Sequence, residues 1–159
     1  MDISKSQIEA IVKQVLSGID TDKRTMGECQ GGNDGTVPVG VSNRHIHLCR
    51  EDVETLFGKG YQLTPFKDLS QPGQYACCEM LTIIGPSMRP IENVRVLGPE
   101  RKASQVEISA TDSYVLKVKP PVRESGKLSC SAPIRIVGPC GVVELKEGCI
   151  IANRHIHMS

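Results

Sequence analysis

Residues 79–97, EMLTIIGPSMRPIENVRVL, hold two short runs rich in Ile, Val and Leu, 79–84 and 91–97, on either side of a Gly85-Pro86 break. Runs of this length, bounded by Gly and Pro, read as β-strands. The same grammar extends outward in both directions, with further runs at 37–41, 105–109, 114–118, 133–137, 142–145 and 149–157. Two more Gly-Pro pairs, Gly98-Pro99 and Gly138-Pro139, follow a Leu or Val in the same way, so strands repeatedly end in one kind of turn. Many short strands with regular punctuation predict a mostly β fold, a barrel or a sandwich. With 3 Tyr, 2 Phe and no Trp among 159 residues, its core must be built from Val, Ile and Leu.

One helix interrupts the strands. Arg50 to Phe57 places Val53, Leu56 and Phe57 on one side and ends at Gly58, a residue suited to a helix terminus. Cys49 would stand at the N-cap, a position that cysteine serves poorly. Residues 4–19 carry Ile8, Ile11, Val12, Val15, Leu16 and Ile19 at helical spacing, with Lys5, Glu9 and Lys13 opposite. That pattern predicts an amphipathic N-terminal helix. Residues 20–36, with four glycines and little that is apolar, have the composition of a flexible linker. The expected organisation is a helix at 1–19, a linker at 20–36 and a β-rich catalytic region at 37–159.

Charge and hydropathy exclude two partner classes. Lys plus Arg number 19 and Asp plus Glu 18, with no basic run interleaved with aromatics, so no nucleic acid is expected. The apolar runs fall far short of the ~20 residues that span a bilayer, so no membrane partner is expected. Seven cysteines without a CxxC spacing argue for reduced thiols, mostly buried, rather than a disulfide framework or a thiolate metal knuckle.

All four histidines lie in one repeated string: Asn43-Arg44-His45-Ile46-His47-Leu48 and Asn153-Arg154-His155-Ile156-His157-Met158. In a strand, alternate side chains share a face, so each His pair would project together about 6.5 Å apart and converge on one ion. Arg44 and Ile46 would face the other way. Neutral imidazole is the commonest metal ligand, and two His plus a carboxylate with an open position is a frequent zinc set. Glu107 is the candidate carboxylate: in Gln105-Val106-Glu107-Ile108-Ser109, alternation sends Val106 and Ile108 to the core and the three polar side chains to the opposite face. The repeat also predicts two strand-rich halves, each bringing one His-x-His to a shared cleft.

Taken together, VSNRHIHL at 41–48, DLSQPGQYA at 68–76, NVRVLGPERKASQVEIS at 93–109, PPVRESG at 120–126 and EGCIIANRHIHM at 147–158 resemble the propanediol-utilisation type of phosphate acyltransferase, the PduL-like phosphotransacylases. The resemblance covers nearly everything after Val37. It implies two small β-barrel domains around a dinuclear zinc site, and exchange of CoA and phosphate on a propanoyl or acetyl group. Carried over residue by residue, His45, His47 and Glu107 resemble the ligands of one zinc, His155 and His157 those of the other, and Arg101 the phosphate-binding arginine. It further implies that residues 1–19 direct the chain to shell or cargo proteins of a bacterial microcompartment, the alternative location being the cytoplasm. The resemblance implies more strands and another histidine ligand beyond the second HIHM, so the second barrel is expected to be incomplete, with an exposed strand edge open to homo-oligomer pairing. Two other readings remain at this point: a zinc-dependent hydrolase, since the same donors activate water, or an inactive microcompartment-associated module.

Overall fold

The computed structural model describes residues 42–157. The predicted N-terminal helix, the linker and the strand at 37–41 lie outside the described residues. Ten elements follow in order: β1 (His45–His47), α1 (Arg50–Phe57), β2 (Pro65–Asp68), β3 (Tyr75–Ile84), β4 (Pro90–Gly98), β5 (Gln105–Glu107), α2 (Ala110–Leu116), β6 (Val122–Arg123), β7 (Ala132–Val137) and β8 (Val142–Ala152). Six strands close a barrel in the ring order β3-β4-β1-β5-β8-β7 and back to β3. β2 adds to the outside of β3, and β6 pairs with Ile151 and Ala152 at the end of β8 in a separate short sheet. The mostly β architecture, with a barrel and short helices, is as expected.

Closure follows from alternation. Ile46, Val94, Val96, Val106, Ile83, Ile134, Ile136 and Ile150 come from six different strands, and none is more than 2% exposed. At about 25 cal/mol per Å² of apolar surface, such side chains contribute roughly 1.5–3 kcal/mol each when fully buried. β1, only three residues long, is held on both sides, parallel to β4 and antiparallel to β5. Both of its edges are therefore paired, over a short ladder.

The two helices dock on the barrel in matching ways. A Cβ at Gly138 would collide with the Leu56 carbonyl of α1, and one at Gly85 with the Leu116 carbonyl of α2. Two residues further on, Cys140 N–H donates to Leu56 O and Ser87 Oγ–H to Leu116 O, at 2.9 and 3.1 Å. Each Gly-Pro turn thus removes a side chain where a helix end must approach, then supplies a donor to a carbonyl that the helix leaves without a partner.

Several expectations are corrected. The strand expected at 114–118 is the end of α2: Ser109 and Asp112 form a capping box, which starts a helix there despite the alternation of Tyr114, Leu116 and Val118. β5 accordingly ends at Glu107. The runs at 142–145 and 149–157 merge into one strand that stops at Ala152, so His155 and His157 are not on a strand. Asn153 N–H still bonds Arg123 O, but β6 is only two residues long and offers no ladder beyond it. Residues 121–126, within the PPVRESG motif, contribute β6 before turning. Of the cysteines among the described residues, Cys77 and Cys149 are buried, Cys49 is half-buried, and Cys78, Cys130 and Cys140 are exposed, all as free thiols. The helix at Arg50–Phe57 is as predicted, and Cys49 caps it without a side-chain hydrogen bond.

Candidate metal centre

His45 stands directly opposite Glu107 across the β1–β5 pair, and His47 opposite Gln105. This register brings one donor atom each from His45, His47 and Glu107 within 4.8 Å of one another. His45 Nδ1 lies 2.9 Å from the carbonyl of Asn43. A carbonyl only accepts, so Nδ1 carries the proton and Nε2, 3.4 Å from Glu107 Oε2, presents a lone pair when the ring is neutral. His47 is 2% exposed and its Nδ1 has no hydrogen-bond partner. A buried imidazole nitrogen without a partner is costly unless something else, such as a cation, accepts its lone pair.

The electrostatics suit a cation. Burial, and then the Arg101 guanidinium, push His47 down to about 3, so the ring is neutral at physiological pH. Burial alone would raise Glu107, but His45, which in its protonated form offers a hydrogen bond and a charge, with smaller contributions from Ser125 and His47, holds it down to about 2. Two neutral imidazoles and one carboxylate are the donor set of many catalytic zinc sites, so these residues fit a divalent transition metal.

Around the three donors lies a tight polar ring. Gln105 Nε2 donates to Glu107 Oε1 at 2.6 Å and to Ser125 Oγ at 2.8 Å, and Gly126 N–H donates to Gln105 Oε1. Arg101 Nη1 donates to the same Ser125 Oγ at 2.8 Å, and its backbone N–H bonds Leu48 O, one residue beyond His47. Gln105 and Glu107 are 1% and 8% exposed, so the polar face of β5 lines the interior of a site rather than meeting solvent. Glu107, which strand alternation singles out, and Arg101, which the resemblance implies, both lie here. Ser125 and Gly126 are not singled out within PPVRESG; nothing local to that stretch announces that it folds back onto β5.

The second His pair repeats the local geometry without the strand. His155 Nδ1 lies 2.6 Å from the carbonyl of Asn153, as His45 does with Asn43, and the two rings of each pair stand edge to face at 88°. The Nε2 atoms of His155 and His157 are 2.9 Å apart, and His157 Nε2 is 2.8 Å from Gln71 Nε2. His155, Asn153 and Arg154 line a hollow with Glu124 and Ser125, so His155 lies beside the turn that borders the first site. Among the described residues, no carboxylate or thiol joins His155 and His157 in a three-donor group.

A family model described as phosphate propanoyltransferase matches residues 38–159. The chain belongs to the phosphate propanoyltransferase family. It is 57% identical over 155 residues to the phosphate propanoyltransferase of Lachnoclostridium phytofermentans, covering 97% of this chain and 69% of the relative. It is 63% identical over 120 residues to that of Thermotoga maritima, covering 76% of this chain and 57% of the relative. With the Rhodopseudomonas palustris protein of the same name, the figures are 44% over 161 residues, 99% and 71%. The chain thus spans between just over half and about seven tenths of the length of these three phosphate propanoyltransferases.

Proposed function

We propose that this chain is a metal-dependent phosphate acyltransferase that interconverts acyl-CoA plus phosphate with acyl phosphate plus CoA, with propanoyl or acetyl as the acyl group. The observation that carries the reading is the convergence of His45, His47 and Glu107 with Arg101 alongside, in a chain of the phosphate propanoyltransferase family. Zinc is the ion that the donor set fits best. When bound, it would supply Lewis acidity, holding the CoA sulfur as thiolate near neutral pH or polarising the acyl carbonyl.

The remaining roles fall to the chain's own groups. Arg101 offers a forked, permanently charged donor that binds phosphate and orients one oxygen toward the thioester carbonyl carbon. Ser125 holds that guanidinium in place through its hydroxyl. Gln105 fixes the Glu107 carboxylate so that it faces the imidazoles. In the transfer, the phosphate oxygen bonds to the carbonyl carbon, the carbon–sulfur bond breaks, and CoA leaves as the thiolate. Direct transfer is favoured over a covalent acyl-enzyme, because burial pushes up the Cys49, Cys77 and Cys149 thiols, the last two to about 11 and 12.

His155 and His157 belong to this reading as ligands of a second ion beside the first site, the close approach of their Nε2 atoms being its support. Residues 1–19 are assigned to docking on microcompartment shell or cargo proteins, with 20–36 as tether and 37–159 as the catalytic region. In support, the family model begins at residue 38, whereas the Lachnoclostridium and Rhodopseudomonas matches extend over nearly the whole chain. Pairing of copies into a homo-oligomer suits β2, a fully exposed edge strand with Phe66 64% exposed.

The test is product identity. Incubating propanoyl-CoA with protein and phosphate, and trapping the product with hydroxylamine, should yield the hydroxamate of an acyl phosphate together with free CoA. CoA release at an equal rate without phosphate would instead identify a hydrolase. For the N-terminal segment, a chain lacking residues 1–19 should fail to co-localise with shell proteins while keeping its activity.

A further inference from the structure

Arg44 and Arg154 occupy the same place in the two NRHIH strings, yet their surroundings differ. Arg44 Nη2 lies 2.7 Å from Asp112 Oδ1, and Asp112 is 2% exposed. The other carboxylate oxygen, Oδ2, accepts from Ser109 N–H at 3.1 Å, while Ser109 Oγ accepts from Asp112 N–H at the same distance. One buried carboxylate therefore ties the residue before His45 to the residue two beyond Glu107. Those are the two segments whose register sets His45 against Glu107. Arg154, by contrast, is exposed and has no ion pair among the described residues, and the His pair that follows it is not on a strand.

We infer that Arg44 and Asp112 are positioning residues for the metal centre: the ion pair clamps the start of β1 to the cap of α2 and holds His45 and Glu107 at ligating distance. The inference rests on the metal-site reading above and adds two residues that touch neither metal nor substrate. Each contribution has a physical source. β1 has only three residues and two neighbours, so its ladder alone leaves few bonds to fix its start. A charge-assisted bond to a buried carboxylate is strong and directional, and it is placed one residue from a ligand. The Arg44 Nε is buried without a hydrogen-bond partner, so the Nη2 contact with Asp112 is the polar anchor that the structure gives this guanidinium.

The full chain tests this, with Zn²⁺ affinity read by competition against a chromophoric chelator and the Co²⁺-substituted absorption spectrum as a second readout. Asp112→Asn keeps one carbonyl oxygen for the cap but loses the ion pair; Arg44→Met keeps the stem and loses the guanidinium. Both should weaken metal binding roughly 10–100-fold, the range for groups that orient ligands, and alter the Co²⁺ ligand-field bands. Arg44→Lys should recover part of the affinity. Ile136→Val, a buried change on β7, serves as a control for general destabilisation and should leave affinity within about twofold at a comparable loss of melting temperature. Unchanged affinity and spectrum in Asp112→Asn and Arg44→Met, or an equal loss in Ile136→Val, would overturn the clamp while leaving the metal site standing. Absence of metal binding in the unmodified chain would overturn the site and the clamp together.

Discussion

His45 Nε2 lies 3.4 Å from Glu107 Oε2, the two residues being direct partners across the β1–β5 ladder. The contact depends on sheet register, because a slip of β1 by one residue would turn His45 to the face opposite Glu107. It makes the metal centre a property of the barrel wall rather than of a loop.

Removing one member should therefore empty the centre without unfolding the barrel. His45→Ala is expected to abolish metal at this site and all phosphate-dependent transfer, while the far-UV circular dichroism stays that of the unmodified chain. Metal analysis of the purified variant checks this; full stoichiometry would remove His45 from the ligand set.

Gln105 bonds Glu107 and is not one of the three donors, so its loss should be milder. Gln105→Leu frees Glu107 Oε1 and Ser125 Oγ from their shared donor, and metal affinity should fall by roughly 10–100-fold. Glu107→Gln, which removes a ligand charge, should exceed that in the same titration.

Arg101 is expected to act on phosphate and not on metal. Arg101→Ala should leave metal content intact and raise the KM for phosphate, with loss of a charged hydrogen bond costing about 1.5–3 kcal/mol, or roughly 10–100-fold in kcat/KM. Lys at this position should restore only part of it, since a point charge cannot reproduce the planar fork. Steady-state kinetics with phosphate varied at saturating propanoyl-CoA separates the two parameters.

Asp112 gives a pH dependence of stability. Burial alone would raise its carboxyl, but the hydrogen bond from Arg44, the capping bonds of Ser109 and the Arg44 charge together hold it below the ordinary range. A folded-state value below the unfolded one, about 3.9, means that the stabilisation is present above that pH and lost as pH falls through the folded value. Chemical denaturation of the metal-free chain should thus show stability falling as pH drops below about 4, and Asp112→Asn should flatten that limb.

Most of the first site was legible because strand chemistry has a period of two: His45, His47 and Glu107 share parity with their neighbours, and the repeated NRHIH marked which pairs to count. The helix at Arg50–Phe57 was equally plain from its apolar side and Gly58. What could not be read was decided by partners distant in sequence. The alternation of Tyr114, Leu116 and Val118 imitated a strand, and only the cap between Ser109 and Asp112 shows why the chain turns helical there. Ser125 enters the site through β6 pairing with β8, a contact about thirty residues along the chain that no local pattern encodes. The second His pair followed the same motif logic, but β8 ends at Ala152, before His155 is reached.

The same comparison of paired motifs predicts a packing effect. Gly85→Ala or Gly138→Ala would set a methyl against a helix carbonyl, and each should destabilise the fold by about 1–3 kcal/mol, the usual cost of overpacking. Thermal melting of the two variants measures it, and an unchanged midpoint would show that the helix ends yield freely.

The central claim, that His45, His47 and Glu107 hold a metal on which phosphate-dependent acyl transfer depends, is tested most directly by titrating Zn²⁺ back into the chelated, tag-free chain. The readout is release of CoA thiol from propanoyl-CoA with phosphate present. The account predicts no release from the chelated protein and activity that returns with added Zn²⁺, to no effect in His45→Ala. Phosphate-dependent release that persists after chelation, at the rate of the untreated protein, would contradict it.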